Sequence, residues 1–149
     1  MKGYAMEKIP EKSAIARIVE ADISLKDAVN VAHFLKGKPL ELAKTYMEEV
    51  MEKKRPVPYF RYLDSVSHRK GNGPGRYPQR AVKAFIALLD NVSANAEFKN
   101  FDTENLVIEH IAASKGRMLK RYRPKAYGTS GAHNKDLVNL EIVVREIKE

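Results

Sequence analysis

Three helices packed on a small antiparallel three-stranded sheet, with a long protruding β-hairpin, make up the α+β fold that this sequence predicts. Apolar residues recur at helical spacing in three separate stretches and mark strands in three others. The last two strands are separated by Ser114 to Leu137, a segment rich in Arg, Lys, Gly and Ser and poor in large apolar side chains. A two-residue turn cannot join them, so the connection is expected to be an extended arm.

Ser13 to Asp22 places Ile15, Ile18 and Val19 among small residues and reads as the first strand. A helix then begins at Ser24, whose hydroxyl can cap it, with Asp27 three residues on as the reciprocal partner. Leu25, Ala28, Val29, Ala32 and Leu35 share one face of it, and Gly37 is a natural terminator. Pro39 suits the first turn of a second helix carrying Leu40, Ala43, Tyr46, Met47, Val50 and Met51. Lys53, Lys54 and Arg55 complement its C-terminal dipole, and Pro56 stops it.

From Pro56 to Tyr77 no period survives. Pro56, Pro58, Gly71, Gly73, Pro74 and Gly75 predict an irregular loop, and a long basic loop in a compact domain is often functional. Pro78 opens the third helix, with Ala81, Val82, Phe85, Leu88, Leu89, Val92 and Ala96 on a broad apolar face. Asn100 to Asn105 turns the chain. Leu106 to Ala113 and Val138 to Ile147 read as strands, and the latter alternates Val138, Leu140, Ile142 and Val144 against Asn139, Glu141 and Arg145. If the pairing continues into the segment between them, about ten residues per side at roughly 3.3 Å each project the hairpin about 33 Å. Such an arm cannot gain its order by packing on its own body, so a partner is expected to order it.

The whole chain, 149 residues, is expected to form one domain, which at this size buries roughly 70% of its unfolded surface. It includes the basic loop 56–77 and the arm at about 114–137. An apolar fraction of 44% argues for a folded chain despite 31% charged residues. The absence of cysteine excludes disulfides, thiolate metal sites and cysteine nucleophiles, and suits a reducing compartment. Neither a signal-peptide core nor an apolar run of about 18 residues is found, so a cytoplasmic protein without membrane insertion is expected.

A net charge of +8 favours a polyanionic partner, and its distribution sharpens the point. Lys53 to Leu89 holds nine Lys or Arg and one acid, Asp64; His110 to Lys135 holds seven Lys or Arg and no acid. In the arm, Lys115, Arg117, Lys120, Arg121, Arg123, Lys125 and Lys135 are interleaved with Tyr122, Tyr127 and His133. Cations to neutralise phosphates, with aromatic and guanidinium planes to stack on unpaired bases, are what RNA recognition requires. Gly128, with Pro124 and Gly131, fits a bend at the arm's end. Gly71 to Arg76 lacks the spacing of a nucleotide-binding loop, but its Gly-rich backbone beside Arg69, Lys70 and Arg76 can lie against an RNA phosphate chain, and Arg55 is a further expected RNA contact.

Two rival readings are weaker. An RNA-cleaving enzyme would have to use His68 or His133, yet the four histidines are dispersed, Glu48 and Glu49 do not face each other on a helix, and Ser65 and Ser67 lack a nucleophile elbow. A double-stranded DNA reader would need a basic recognition helix, and the third helix offers little beyond Arg80 and Lys83. No catalytic residue, metal site or cofactor is expected.

Three segments resemble a known family. They are Arg55-Pro56-Val57-Pro58-Tyr59; Gly75-Arg76-Tyr77-Pro78 running into Lys83 to Asn91; and Leu119-Lys120-Arg121-Tyr122-Arg123-Pro124-Lys125-Ala126-Tyr127-Gly128. With the order of elements they are similar to the large-subunit ribosomal protein twenty-two family, in its archaeal and eukaryotic branch. The resemblance implies a structural, non-enzymatic protein in the large ribosomal subunit, with a hairpin that penetrates ribosomal RNA and helps line the peptide exit tunnel. It also implies a part in subunit assembly and translation, neighbouring ribosomal proteins and the nascent peptide as further contacts, and Lys120, Arg121, Arg123, Lys125, Tyr127 and Gly128 at the hairpin's end. Glu109, Asp136 and Glu141, at the arm's base, are expected to serve the folded body rather than the RNA.

Overall fold

A computed structural model describes residues 4–6, 9–10, 12–103 and 105–147. In chain order the elements are β1 (Ser13–Ala21), α1 (Leu25–Leu35), α2 (Leu40–Met51), β2 (Val57–Pro58), β3 (His68–Arg69), β4 (Gly73–Arg76), α3 (Gln79–Phe98), β5 (Leu106–Leu119), β6 (Tyr122–Pro124), a 3-10 turn (Ala126–Gly128), β7 (Ser130–Ala132) and β8 (Lys135–Glu146). The three helices and three main strands fall where the apolar spacing predicts them.

The main sheet is antiparallel in the order β1-β8-β5, so the last strand in sequence is the central one. Val138, Leu140, Ile142 and Val144 of β8 enter the core, opposite Ala14 and Ala16 of β1. These alanines keep the surface under α3 shallow, and α3 packs there with Val82, Phe85, Leu88, Leu89, Val92 and Ala96 buried. In β5 the core positions are Leu106 and Ile108 and then Ile111, a step of three where strict alternation takes two. A register irregularity between Ile108 and His110 absorbs the extra residue, as a β-bulge does. Helix α1 packs on β5, and α2 rests mainly on α3.

The N-terminus of α1 forms as expected in one half only. The Asp27 amide donates to Ser24 Oγ at 3.4 Å, but the Asp27 carboxylate is used elsewhere: its Oδ1 accepts from the Tyr59 hydroxyl at 2.6 Å. That acceptor, together with burial as the larger cause, pushes the Tyr59 hydroxyl well above the ordinary phenol range.

The loop from Pro56 to Tyr77 is more regular than its composition predicts. Strands β2, β4 and β3 form a second small antiparallel sheet in the order β2-β4-β3, pairing Val57 with Arg76, Pro58 with Gly75 and His68 with Pro74. Proline and glycine mask the strand signal, and backbone hydrogen bonds supply the order instead. A side chain on Gly75 would crowd the paired strand, since a Cβ there would stand 3.1 Å from the Val57 carbonyl oxygen and 3.3 Å from Pro56 Cβ.

The strands flanking the arm are longer than their apolar patterns suggest. Pairing of β5 with β8 continues to Leu119 opposite Lys135, and β6 with β7 extends the ladder from Tyr122–Ala132 to Pro124–Ser130. Between the two ladders the His133 amide donates to the Arg121 carbonyl at 2.6 Å, and Lys125 N donates to Thr129 O at 2.8 Å to close the tip. The ladder is irregular at the base of the hairpin, where the β5–β8 register shifts between Lys115 and Met118. Gly116 lies in that shift, and a Cβ on it would meet the Leu137 carbonyl oxygen at 3.0 Å.

The alternation of β8 predicts Glu141 on the solvent side, but Glu141 is only 8% exposed and its neighbour Val143 is fully buried. Tyr4 and Ala5 lie on this second face: Ala5 N donates to Glu141 Oε1 at 3.0 Å, and the Arg17 guanidinium stands 6.0 Å from the centre of the Tyr4 ring.

Candidate nucleic-acid interface

The arm from residue 120 to residue 130 is exposed throughout. Tyr127 stands at its end, fully exposed and with φ at +57°, followed by Gly128 at +67°. Positive φ at two successive residues, closed by the Thr129 amide donating to the Ala126 carbonyl at 3.3 Å, is the geometry of a tight hairpin turn, with a tyrosine at a position that Asn, Asp or Gly usually fills.

The seven cations expected on the arm divide into two groups. Those at its base are neutralised by acids of the body, a correction to the picture of a segment without counter-charge. Lys115 pairs with Asp136 at 3.1 Å, Arg117 with Glu20 at 2.9 Å, and Lys135 with Asp22 at 2.5 Å. Further out, Lys120, Arg121, Arg123 and Lys125 are exposed and form no ion pair among the described residues. Tyr122 and His133 lie on the same outer part, also exposed.

The partners Glu20 and Asp22 are residues that sequence reasoning misses. They stand 97 and 113 positions from Arg117 and Lys135, so no local pattern links them. Glu20 itself has φ at +58°, in the irregularity where β1 leaves its register with β8, and its amide donates to Asn139 Oδ1 at 2.9 Å. Arg80, at the start of α3, reaches Asp22 Oδ2 at 3.1 Å, so one carboxylate joins the hairpin base to the third helix.

The hydrogen bond from Lys135 holds the Asp22 carboxyl below its ordinary value of 3.8, against some desolvation and with further help from the charges of Lys135, Arg80 and Arg121. A carboxylate shifted this way stabilises the fold fully above its unfolded value and loses that contribution as pH falls through the lowered one. Titration of the Asp22 side-chain carboxyl by NMR should therefore give a midpoint below 3.8, and Arg80→Ala with Lys135→Ala should return it to the ordinary value. An unshifted midpoint in the unaltered protein would show that these pairs do not persist in solution.

The remaining expected contacts lie around the second sheet. Arg69 and Lys70 are exposed, with the Arg69 guanidinium 5.4 Å from the Tyr77 ring centre. Arg76 donates to the Ser65 carbonyl at 3.0 Å, and Arg55 pairs with Glu49 at 3.3 Å. The small sheet thus carries Arg69 and Arg76 on its paired strands β3 and β4, while the arm's outer cations form a separate group on a separate element. No helix among the described residues is long and apolar enough to cross a membrane, and no group of three His, Cys, Asp or Glu among them could hold a metal.

Comparison with known proteins decides the family. The sequence profile of the family described as Ribosomal protein L22p/L17e matches residues 16–145, which takes in the three helices, most of the main sheet and the whole arm. This chain belongs to the L22p/L17e family. Proteins named Large ribosomal subunit protein uL22 match it end to end: that of Picrophilus torridus is 67% identical over 100% of this chain and 99% of its own. The Thermoplasma acidophilum protein is 64% identical over 100% of this chain and 98% of its own, and that of Thermoplasma volcanium 62% identical over 98% of each. The L22p/L17e chain is accordingly a structural, non-enzymatic constituent of the large ribosomal subunit, with its place in the cytoplasmic ribosome.

Proposed function

We propose that this protein binds large-subunit ribosomal RNA through two surfaces, with the arm penetrating the RNA to help line the peptide exit tunnel. The observation that carries the reading is the fully exposed outer arm, whose cations form no ion pair among the described residues. A strand pair with so little to pack against is stable in a subunit only where surrounding phosphates offset its charge. In this reading Lys120, Arg121, Arg123 and Lys125 neutralise phosphates, Tyr122, Tyr127 and His133 offer rings to unpaired bases, and Gly128 lets the backbone approach closely. Lys115, Arg117 and Lys135 divide their charge between the body's acids and the RNA. Arg55, Arg69, Lys70 and Arg76 hold a second RNA segment against the body.

One apolar cluster takes residues from all three helices and the main sheet, which supports a single domain with the arm as its outgrowth. The body would anchor the arm during subunit assembly, next to neighbouring ribosomal proteins, and the Tyr127 tip is the part that reaches the nascent peptide. To test this, a photo-crosslinking amino acid is placed at position 127 in reconstituted subunits. Crosslinks should form to ribosomal RNA, and in translating ribosomes also to the growing peptide. Crosslinks confined to surface proteins of the subunit would overturn the tunnel assignment.

A further inference from the structure

Residues Tyr59 to Ser65 carry a group of exposed rings that belong neither to the arm nor to the basic residues of the second sheet. Phe60 is 45% exposed, Tyr62 42% and Leu63 47%. Phe60 lies against the His33 ring of α1, with centroids 3.9 Å apart and planes 32° from parallel. Beside them His33, Phe34, Pro58, Tyr59 and Phe60 line a cleft of about 340 Å³.

This segment is held in place before any partner arrives. Asn30 is fully buried, and its Oδ1 accepts from the amides of Phe60 and Arg61 at 3.0 and 3.1 Å. Its Nδ2 donates to the Arg61 carbonyl at 3.0 Å and to the Lys26 carbonyl at 2.8 Å. The Tyr59 hydroxyl bond to Asp27 is a second anchor on the same helix. Tyr62 and Ser65 have φ at +58° and +59°, an unfavourable conformation for both. A buried amide with its hydrogen bonds committed to an exposed loop, and strained backbone within that loop, are features of a preorganised binding surface.

Two cations stand beside the Tyr62 ring. Lys26 Nζ is 5.5 Å from the Tyr62 ring centre and Arg61 Cζ is 6.0 Å from it, and neither forms an ion pair among the described residues. Asp64 is the one acid of the 53–89 stretch, and it shares a cleft with Lys26, Asp27, Tyr62 and Arg76, where the Asp27 carboxylate is engaged by the Tyr59 hydroxyl. The cores of protein-docking surfaces are depleted of charge, whereas exposed rings beside unpaired cations match a base with its phosphate.

We infer that His33, Phe60 and Tyr62, flanked by Lys26 and Arg61, form a preformed site for an unpaired RNA nucleotide, its base against the rings and its phosphate on the two cations. The inference rests on the proposed RNA-binding function and adds a base-stacking site on the body, away from the arm.

The test uses the full chain and a large-subunit ribosomal RNA fragment across a salt series. Phe60→Ala should weaken binding by about 5- to 100-fold with the salt slope unchanged, because a stacked base but no phosphate contact is lost. Phe60→Trp should retain affinity and Phe60→Leu should not. Arg61→Ala should flatten the slope by about one unit. Thermal unfolding of each variant confirms that the body is intact. Steep, salt-dependent binding by the unaltered protein with unchanged affinity in Phe60→Ala would overturn the stacking site and leave the RNA-binding reading standing. Absence of binding by the unaltered protein would overturn both. Should Phe60→Ala release a neighbouring protein from the subunit at unchanged RNA affinity, the rings dock protein and the inference is wrong.

Discussion

Replacing Lys120, Arg121 and Arg123 together with Gln should cut affinity for a large-subunit RNA fragment by about 10²- to 10³-fold near 0.1 M salt. Each cation that meets a phosphate releases condensed counterions, so log K falls with log salt by roughly 0.7 to 0.9 per contact. Three lost contacts should flatten the slope by about 2 to 3 units, and the affinities of variant and unaltered protein should converge toward 1 M salt. All three side chains are exposed and form no ion pair among the described residues, so their loss leaves no orphaned acid on the body. Arg117 is unsuitable by the same reasoning, because removing it strands Glu20. Folding should be unaffected in the triple variant. A slope unchanged from that of the unaltered protein would mean that the arm is not the element that meets the RNA.

Phe85→Ala should destabilise the fold by about 3 to 5 kcal/mol, near the upper end for a single core truncation. Phe85 is fully buried on α3, among the largest side chains of the core, where the helix meets the main sheet. Removing its ring forfeits transfer free energy and leaves a cavity that neighbouring helix and sheet cannot close. Against a total of about 5 to 15 kcal/mol for a domain, that is a large share, and the melting temperature should fall by about 10 °C. In urea the midpoint should drop with its slope unchanged. Tyr127→Ala, at the exposed tip, should stay within about 0.5 kcal/mol of the unaltered protein. A loss below about 1 kcal/mol for Phe85→Ala would contradict the close packing of α3 on the sheet.

How far the sequence can be read follows from burial. The seven apolar residues expected on α3 are the seven that the structure buries, because a helix with one face inside must repeat its apolar residues with the helical period. The main strands are legible as far as their side chains enter the core, Leu106 to Ala113 in β5, and illegible where the strand runs on to Leu119 with neither face covered. Strands β2, β3 and β4 escape sequence reasoning for a related reason: they are two to four residues long, and apart from Val57 they consist of Pro, Gly, His and Arg. The basic residues of the candidate interface stand out as a charge pattern, while their division into paired and free is invisible in the sequence.

From the sequence alone come the α+β class, the three helices, the three main strands and a charged arm too lean in apolar side chains to fold back on its parent body. Periodicity and composition are local properties and survive without coordinates. The tertiary structure decides that β8 is central, that Glu141 accepts from the Ala5 amide, that Glu20 and Asp22 restrain the hairpin base, and that Asn30 clamps the backbone of Phe60 and Arg61. Each of these joins residues far apart in the chain through hydrogen bonds or ion pairs. Such a pairing has no period, so only the packing of the elements brings its partners within reach of each other.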